Sequence, residues 1–156
     1  MDKPEIKGYE IIEPVGEGGM ATVYLAIQEN FQRKVAVKIL AKNLLSDSSF
    51  GERFLREARI VAQLSHQHIV PVFDVGQQGD IHFIAMELLP GGDLKQKLRK
   101  GLPLFEGLTI VKQISAALDY ASARNFEYQL IRITCKPVSL SLYSAASPKR
   151  RIISKR

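Results

Sequence analysis

The sequence predicts an α+β fold, and three observations carry that expectation. Short runs of β-branched and aromatic residues fill the first third of the chain. Helical periodicity replaces them after residue 50, and a Pro90-Gly91-Gly92 break separates a second apolar hairpin from purely helical patterns.

Taken in order, Tyr9 to Val15, Thr22 to Gln28 and Lys34 to Leu40 read as three strands. Gly16-Glu17-Gly18-Gly19 and Glu29-Asn30 supply the turns of an antiparallel meander. From Phe50 to Ser65 the apolar positions Phe54, Ala58, Val61 and Ala62 fall on one helical face, with Ser49 and Glu52 placed as a capping box. Ile69 to Val75 and Ile81 to Leu89 flank Gln77-Gln78-Gly79-Asp80 and predict a hairpin. After the break, Asp93 to Lys100 reads as a short helix. Leu104 to Asn125 reads as a longer one with the stripe Ile110, Ile114, Leu118 and Ala121.

A length of 156 residues suits one domain, and 46% hydrophobic with 24% charged residues excludes wholesale disorder or a collagen-like chain. No apolar run approaches the roughly 20 residues that span a bilayer, and Met1-Asp2-Lys3-Pro4-Glu5 has no apolar signal core. A cytoplasmic protein without a membrane span is expected. The single cysteine, Cys135, cannot close an internal disulfide, which fits a reducing compartment. The net charge of +6 is unevenly spread: residues 1–126 carry 15 basic and 15 acidic side chains, whereas residues 127–156 carry seven basic ones against Glu127. The excess belongs to the tail and predicts no specific nucleic-acid partner.

Two junctions carry chemistry. Gly16-x-Gly18, followed by Ala21 and Val23, sits in the first hairpin turn, where glycines either close a turn or let backbone amides approach a phosphate. Val35-Ala36-Val37-Lys38 places a lysine in an otherwise apolar strand, and a buried ammonium needs an anionic partner. Glu57 lies on the same helical face as Phe54, Ala58 and Val61, directed at the sheet.

With these motifs in order, residues 9–126 resemble the small lobe and first helices of a eukaryotic-type serine/threonine protein kinase of the bacterial subgroup. Gly16-Glu17-Gly18-Gly19-Met20-Ala21-Thr22-Val23-Tyr24 resembles the glycine-rich loop, with Ala21 at the usual third glycine. Val35-Ala36-Val37-Lys38 resembles the third-strand lysine motif and Phe54-Leu55-Arg56-Glu57-Ala58 the helix glutamate motif. His66-Gln67-His68-Ile69-Val70-Pro71-Val72 resembles the turn and fourth strand, with Gln67 where proline is common and His68 where asparagine is. Met86-Glu87-Leu88-Leu89-Pro90-Gly91-Gly92-Asp93-Leu94 resembles the gatekeeper and hinge.

The resemblance implies a five-stranded antiparallel sheet with one helix, then the first helices of a large lobe. It divides the chain into an N-terminal extension (1–8), small lobe and hinge (9–89), the start of the large lobe (90–126) and a non-matching basic tail (127–156) expected to be poorly ordered. It also implies roles. Lys38 would hold the α- and β-phosphates of ATP and pair with Glu57. Gly16, Gly18 and Gly19 would approach the phosphates, while Val15, Val23, Ala36, Val70 and Met86 would form the adenine slot. The Glu87 carbonyl and Leu89 amide would meet the adenine edge. Asp93 is placed either to reach the ribose hydroxyls or to cap its own helix. His66 and His68 read as turn residues rather than metal ligands.

Phosphoryl transfer also needs a carboxylate near the acceptor hydroxyl and at least one to hold magnesium. Residues 127–156 contain neither Asp nor Asn, and setting Lys136-Pro137 against the family's catalytic-loop Lys-Pro puts Thr134 and Ser139 at the carboxylate and metal positions. A reading-frame change near codon 126 in a longer kinase gene is one explanation, a solvated or weakly anion-binding tail another. ATP binding with little help from magnesium and little or no phosphotransfer is expected. The alternative is a pseudokinase-like interaction module that meets another kinase chain or a different protein through the uncovered stripe Ile110, Ile114, Leu118 and Ala121.

Overall fold

A computed structural model of the chain describes residues 3–41, 48–91 and 94–124. Asp93, Cys135 and the whole basic tail, and hence the expectations attached to them, lie outside these residues.

Five strands form one antiparallel sheet: β1 (Tyr9–Glu17), β2 (Ala21–Gln28), β3 (Arg33–Leu40), β4 (Val72–Gln78) and β5 (Ile81–Glu87), in the spatial order β1-β2-β3-β5-β4. Helix α1 (Ser48–Val61) packs on β4 and β5, and α2 (Leu94–Arg99) and α3 (Leu104–Ser122) follow. The strict alternation of β3 divides the core in two. Val35, Val37 and Ile39 join Ile11, Ala26, Phe83 and Ala85 on one face, while Ala36 joins Val23, Ala58, Val70, Ile84 and Met86 on the α1 side. Lys38 shares the parity of Ala36 and therefore faces α1.

Two bulges interrupt the β1–β2 ladder, between Ile11 and Glu13 and between Pro14 and Gly16. Pro14 has no N–H to give to the ladder, and the bulge beside it leaves Val15 out of register. The second hairpin turns more tightly than expected. β4 and β5 stay paired through Gln78 and Ile81, so Gly79 and Asp80 alone make the turn, with Gly79 at φ +56°.

Several expected boundaries are corrected. β4 begins at Val72 rather than Ile69: Pro71 cannot donate to a ladder, its carbonyl accepts the Glu87 N–H at 3.0 Å, and Ile69 is buried against α3 instead. Helix α1 begins one residue before the expected cap, which places Ser49 inside it with its Oγ accepting an Arg53 guanidinium N–H at 3.3 Å. It ends at Val61 in tight turns, Gln63 N–H to Ile60 and Leu64 N–H to Val61, so Ala62 faces solvent and Leu55 takes the buried place.

The N-terminal residues are part of the sheet's packing. Ile6 is buried in the core of the face opposite α1. The Gln78 side chain accepts the Lys7 N–H at 2.8 Å and donates to the Glu5 carbonyl at 3.3 Å. Tyr9 packs edge-on against Phe83, and its hydroxyl donates to Asp74 at 2.9 Å; burial and that carboxylate push its pKa well above the usual phenol range.

Helix α3 joins the sheet through the segment after α1. Ala117 and Ala121 pack with Leu64 and Ile69, and Leu118 and Tyr120 flank them. The His66 ring lies between those of His68 and Tyr120, with the Arg124 guanidinium 3.7 Å above Tyr120. The expected stripe is therefore not the open one. Ile110 and Ala121 are buried and Ile114 and Leu118 half-buried, whereas Leu104 (79% exposed), Phe105 (83%), Leu108 (60%) and Val111 (60%) stand in solvent. At about 100° per residue these four occupy the side away from Ala117 and Ala121.

This assignment of faces predicts that Leu108→Lys with Val111→Glu leaves the thermal midpoint within about 2 °C and reduces self-association in sedimentation velocity. Ala117→Leu, which overfills the contact with Leu64 and Ile69, should cost about 1–3 kcal/mol. Comparable destabilisation by both changes would contradict the assignment.

Candidate functional site

The site is built on the α1-facing side of the sheet. Antiparallel pairing sets Val23 beside Lys38 on β2 and β3, and Lys38 beside Ile84 with Ala36 beside Met86 on β3 and β5. Val23, Ala36, Val70 and Met86 thus meet in one apolar cluster, which also holds Ala58 of α1 and against which Phe54, Leu88 and Leu89 pack. Val15, the remaining residue expected in the adenine slot, lies beside its bulge at 38% exposure and outside this cluster.

Lys38 is the only charged side chain on β3 flanked on both sides by buried residues, Val37 and Ile39. Burial lowers its pKa below the lysine value of 10.5, and the charge of Glu57 opposes that shift. The ammonium lies 6.0 Å from the Phe54 ring centroid. No hydrogen bond or ion pair joins Lys38 to Glu57, so the expected contact is replaced by attraction at longer range. Helical geometry gives the reason. With Phe54, Leu55, Ala58 and Val61 turned inward, Glu57 falls at the edge of the buried face and stays half-buried.

The glycine loop is closed by its own backbone. The Gly18 N–H donates to the Ala21 carbonyl at 3.0 Å, and the Met20 carbonyl accepts the Ala41 N–H at 3.0 Å, tying the loop tip to the end of β3. Neither Gly18 nor Gly19 has a positive φ. A Cβ at Gly19 would meet nothing within 4 Å, and one at Gly18 only the Ala21 carbonyl at 3.5 Å. The bare backbone leaves open space above the loop, which is what close approach of a ligand requires. Gly16 is buried.

Beyond β5, Glu87 and Leu89 are half-buried in the segment leading to α2, and the Glu87 N–H is committed to Pro71. His66 and His68 belong to the α3 joint. Burial and the neighbouring His68 lower the His66 pKa. Among the described residues no group of three His, Cys, Asp or Glu side chains is spaced to hold a metal ion. Sequence reasoning missed His82, which is buried under Gly51 of α1. The signal was the glycine itself, since a glycine inside a helical pattern marks a close approach.

A five-stranded antiparallel sheet with one helix across it, a lysine on its third strand on the side that faces the helix, and a glycine loop between its first strands make up a protein-kinase-like fold. The sequence profile of the protein kinase domain matches residues 9–130, and the chain belongs to the protein kinase family. It is 38% identical over 126 residues to the serine/threonine-protein kinase PrkC of Bacillus subtilis, covering 80% of this chain and 19% of that protein. With PknF of Mycobacterium tuberculosis it shares 35% identity over 150 residues, 94% of this chain and 31% of the relative. Crystal structures of the kinase domain of Mycobacterium tuberculosis PknI superpose with TM-scores of 0.68 and 0.72, at 34% and 29% identity. They cover 78% and 86% of this chain and 50% and 59% of those. The chain thus spans less than a third of these curated relatives and about half of the solved domains. Among the described residues no helix is long and apolar enough to cross a membrane.

The state of Lys38 has a consequence for stability. Its folded pKa lies below that of the unfolded chain, so between the two values the folded protein binds fewer protons and stability rises with pH. Lys38→Met removes the desolvated charge and should stabilise the fold near neutral pH by about 1 kcal/mol or more. The gap from the unsubstituted chain should narrow as pH rises toward 10.5. Urea denaturation at about pH 7 and about pH 10 measures both; destabilisation at neutral pH, or a widening gap, would contradict the burial of an uncontacted ammonium.

Proposed function

We propose that this chain binds ATP on the α1-facing side of its sheet and transfers phosphate weakly or not at all. The observation that carries the reading is Lys38, a desolvated ammonium to which no described residue brings a hydrogen bond or ion pair, set beside an apolar cluster. A charge in that condition is complementary to an incoming phosphate.

ATP supplies a flat apolar base and a chain of negative charge. Lys38 holds the α- and β-phosphates, and Glu57 keeps the ammonium charged through the longer-range attraction already described. Val23, Ala36, Val70 and Met86 enclose the adenine with Val15 at its exposed edge, Glu87 and Leu89 fix its edge through backbone groups, and Asp93 serves the ribose or its own helix. Gly16, Gly18 and Gly19 let the loop approach the phosphates without side chains in the way. On this reading residues 9–89 act as the small lobe and hinge, residues 90–126 open the large lobe, and the protein works in the cytoplasm.

The limit on catalysis comes from composition. Residues 127–156 of the given sequence contain no Asp or Asn, so the segment after α3 carries no counterpart of the family's acceptor-side Asp or its metal-binding Asn and Asp. Magnesium therefore adds little. A second reading, a non-enzymatic interaction module, is favoured by the open apolar face of α3 at Leu104, Phe105, Leu108 and Val111. It is distinguished by partner binding that is indifferent both to ATP and to Lys38→Ala.

Isothermal titration with ATP should give a Kd on the order of 0.1–1 mM, improved by magnesium less than about tenfold and lost in Lys38→Ala. Binding unaffected by Lys38→Ala would overturn the site. A gain of about a hundredfold or more with magnesium would overturn the missing-carboxylate argument.

A further inference from the structure

We propose that the corner where α2 turns into α3 is a docking surface for an anionic lipid bilayer: Leu104, Phe105 and Leu108 enter the headgroup region, and Arg99, Lys100 and Lys112 meet the lipid phosphates. The inference is independent of the ATP reading, since none of these residues belongs to the Lys38 site.

The corner is built to project. The Lys100 N–H donates to the Gln96 and Lys97 carbonyls at 3.3 and 3.1 Å, and the Gly101 N–H to the Leu98 carbonyl at 3.2 Å, which ends α2. Gly101 then turns the chain at φ +88°, a left-handed conformation that favours glycine. Leu102 folds back onto α3, its Cδ2 lying 3.6 Å from where a Cβ of Gly107 would stand. The Pro103 carbonyl accepts the Gly107 N–H at 2.9 Å and starts the next helix. Half-buried Leu102 thus holds the turn down while its apolar neighbours stay outside. Leu98 is 57% exposed, and with Leu104, Phe105, Leu108 and Val111 it presents on the order of 500 Å² of apolar surface, the upper end of what a monomer leaves uncovered. Leu104 and Phe105 are the most exposed of the five, and exposure that high belongs to a ridge, not a groove.

Charge distinguishes what the ridge meets. Residues 94–112 carry five basic side chains against Glu106, whereas the rest of residues 1–126 carries ten basic side chains against fourteen acidic ones. Glu106 is already occupied by Lys97, in an ion pair of 2.5 Å between α2 and α3. Lys95, Arg99, Lys100 and Lys112 are left exposed, with no ion pair among the described residues. At about 100° per residue Lys112 falls between Phe105 and Leu108 on the outer side of α3, so a cation stands within the ridge as well as beside it. Apolar side chains that project from a turn, with long basic ones around them, suit an interface where acyl chains take the former and phosphates the latter. A protein partner would have to bring a concave surface that is both apolar and acidic. A second copy would bring four like charges to the contact, which weakens that pairing.

The test must separate this corner from residues 127–156, whose seven basic side chains against Glu127 draw the chain to anionic vesicles by themselves. Phe105→Trp supplies a local reporter in the full chain, because the sequence contains no tryptophan. On vesicles of phosphatidylcholine with about 30% phosphatidylglycerol the indole emission should move to shorter wavelength and be quenched by lipids brominated on their acyl chains. Vesicles of phosphatidylcholine alone should leave it unmoved. Arg99→Gln with Lys100→Gln, added to the reporter, should weaken partitioning at least about tenfold. Leu108→Trp is a second reporter on the same ridge and decides the matter if Phe105→Trp does not fold. Co-sedimentation with the vesicles while the emission stays that of water would overturn the proposal and leave the basic tail as the binder. An equal shift on phosphatidylcholine alone would remove the role of the charges. A shift that appears without vesicles as the protein is concentrated, and is not increased by adding them, would assign the ridge to a second copy.

Discussion

The structure is organised around one unfavourable placement, an ammonium on the apolar, helix-facing side of a sheet. Lys38 interrupts a strand whose neighbouring residues are buried, and burial holds its pKa down. An isolated charge in such a place is tolerated only where something offsets its desolvation. Here the offset is partial: Glu57 contributes attraction without contact, and the Phe54 ring lies 6.0 Å away. On the proposed reading the surrounding fold holds that charge in place for an incoming phosphate.

The sheet and α1 are arranged to do so. Continuous pairing of β2, β3 and β5 fixes the backbone of Lys38, while the glycine loop is pinned at Met20 to the residue after β3. On the opposite face the core of Val35, Val37, Phe83 and Ala85, sealed by Ile6, stiffens the same strands. Helix α1 is held at its C-terminal end, where Leu64 and Ile69 are locked against Ala117 and Ala121 of α3. At its N-terminal end it meets the sheet through the Gly51 and His82 contact. Between these ends Ala58 and Phe54 pack into the cluster of Val23, Ala36, Val70, Ile84 and Met86.

Much of this was legible in the residues. The β-branched run from Lys34 to Leu40 announced both the strand and the anomaly of its lysine, and the apolar face of α1 pointed to Glu57. The misreadings share a cause: an apolar residue announces burial, not what buries it. Ile69 and Val70 look like strand because they are buried, yet Ile69 packs under α3 and Pro71 bars the ladder. Helix α3 carries two apolar faces at helical spacing, and only packing shows that Ala117 and Ala121 are covered while Leu104, Phe105, Leu108 and Val111 are open. Ile6 joins the core through its turn to Tyr9 and the grip of Gln78 on Glu5 and Lys7, a long-range contact with no local signature. The distance between Lys38 and Glu57 depends on how a helix seats on a sheet, and no local pattern encodes it.

The most direct test of the central claim is the chemical reactivity of Lys38 with and without nucleotide. Acylation of the lysines, followed residue by residue by mass spectrometry, should show Lys38 slowed at least about fivefold by saturating ATP, little changed by adenosine, and the surface lysines Lys34 and Lys95 indifferent to both. Equal labelling of Lys38 in the presence and absence of ATP would contradict the view that its buried charge is kept for a phosphate.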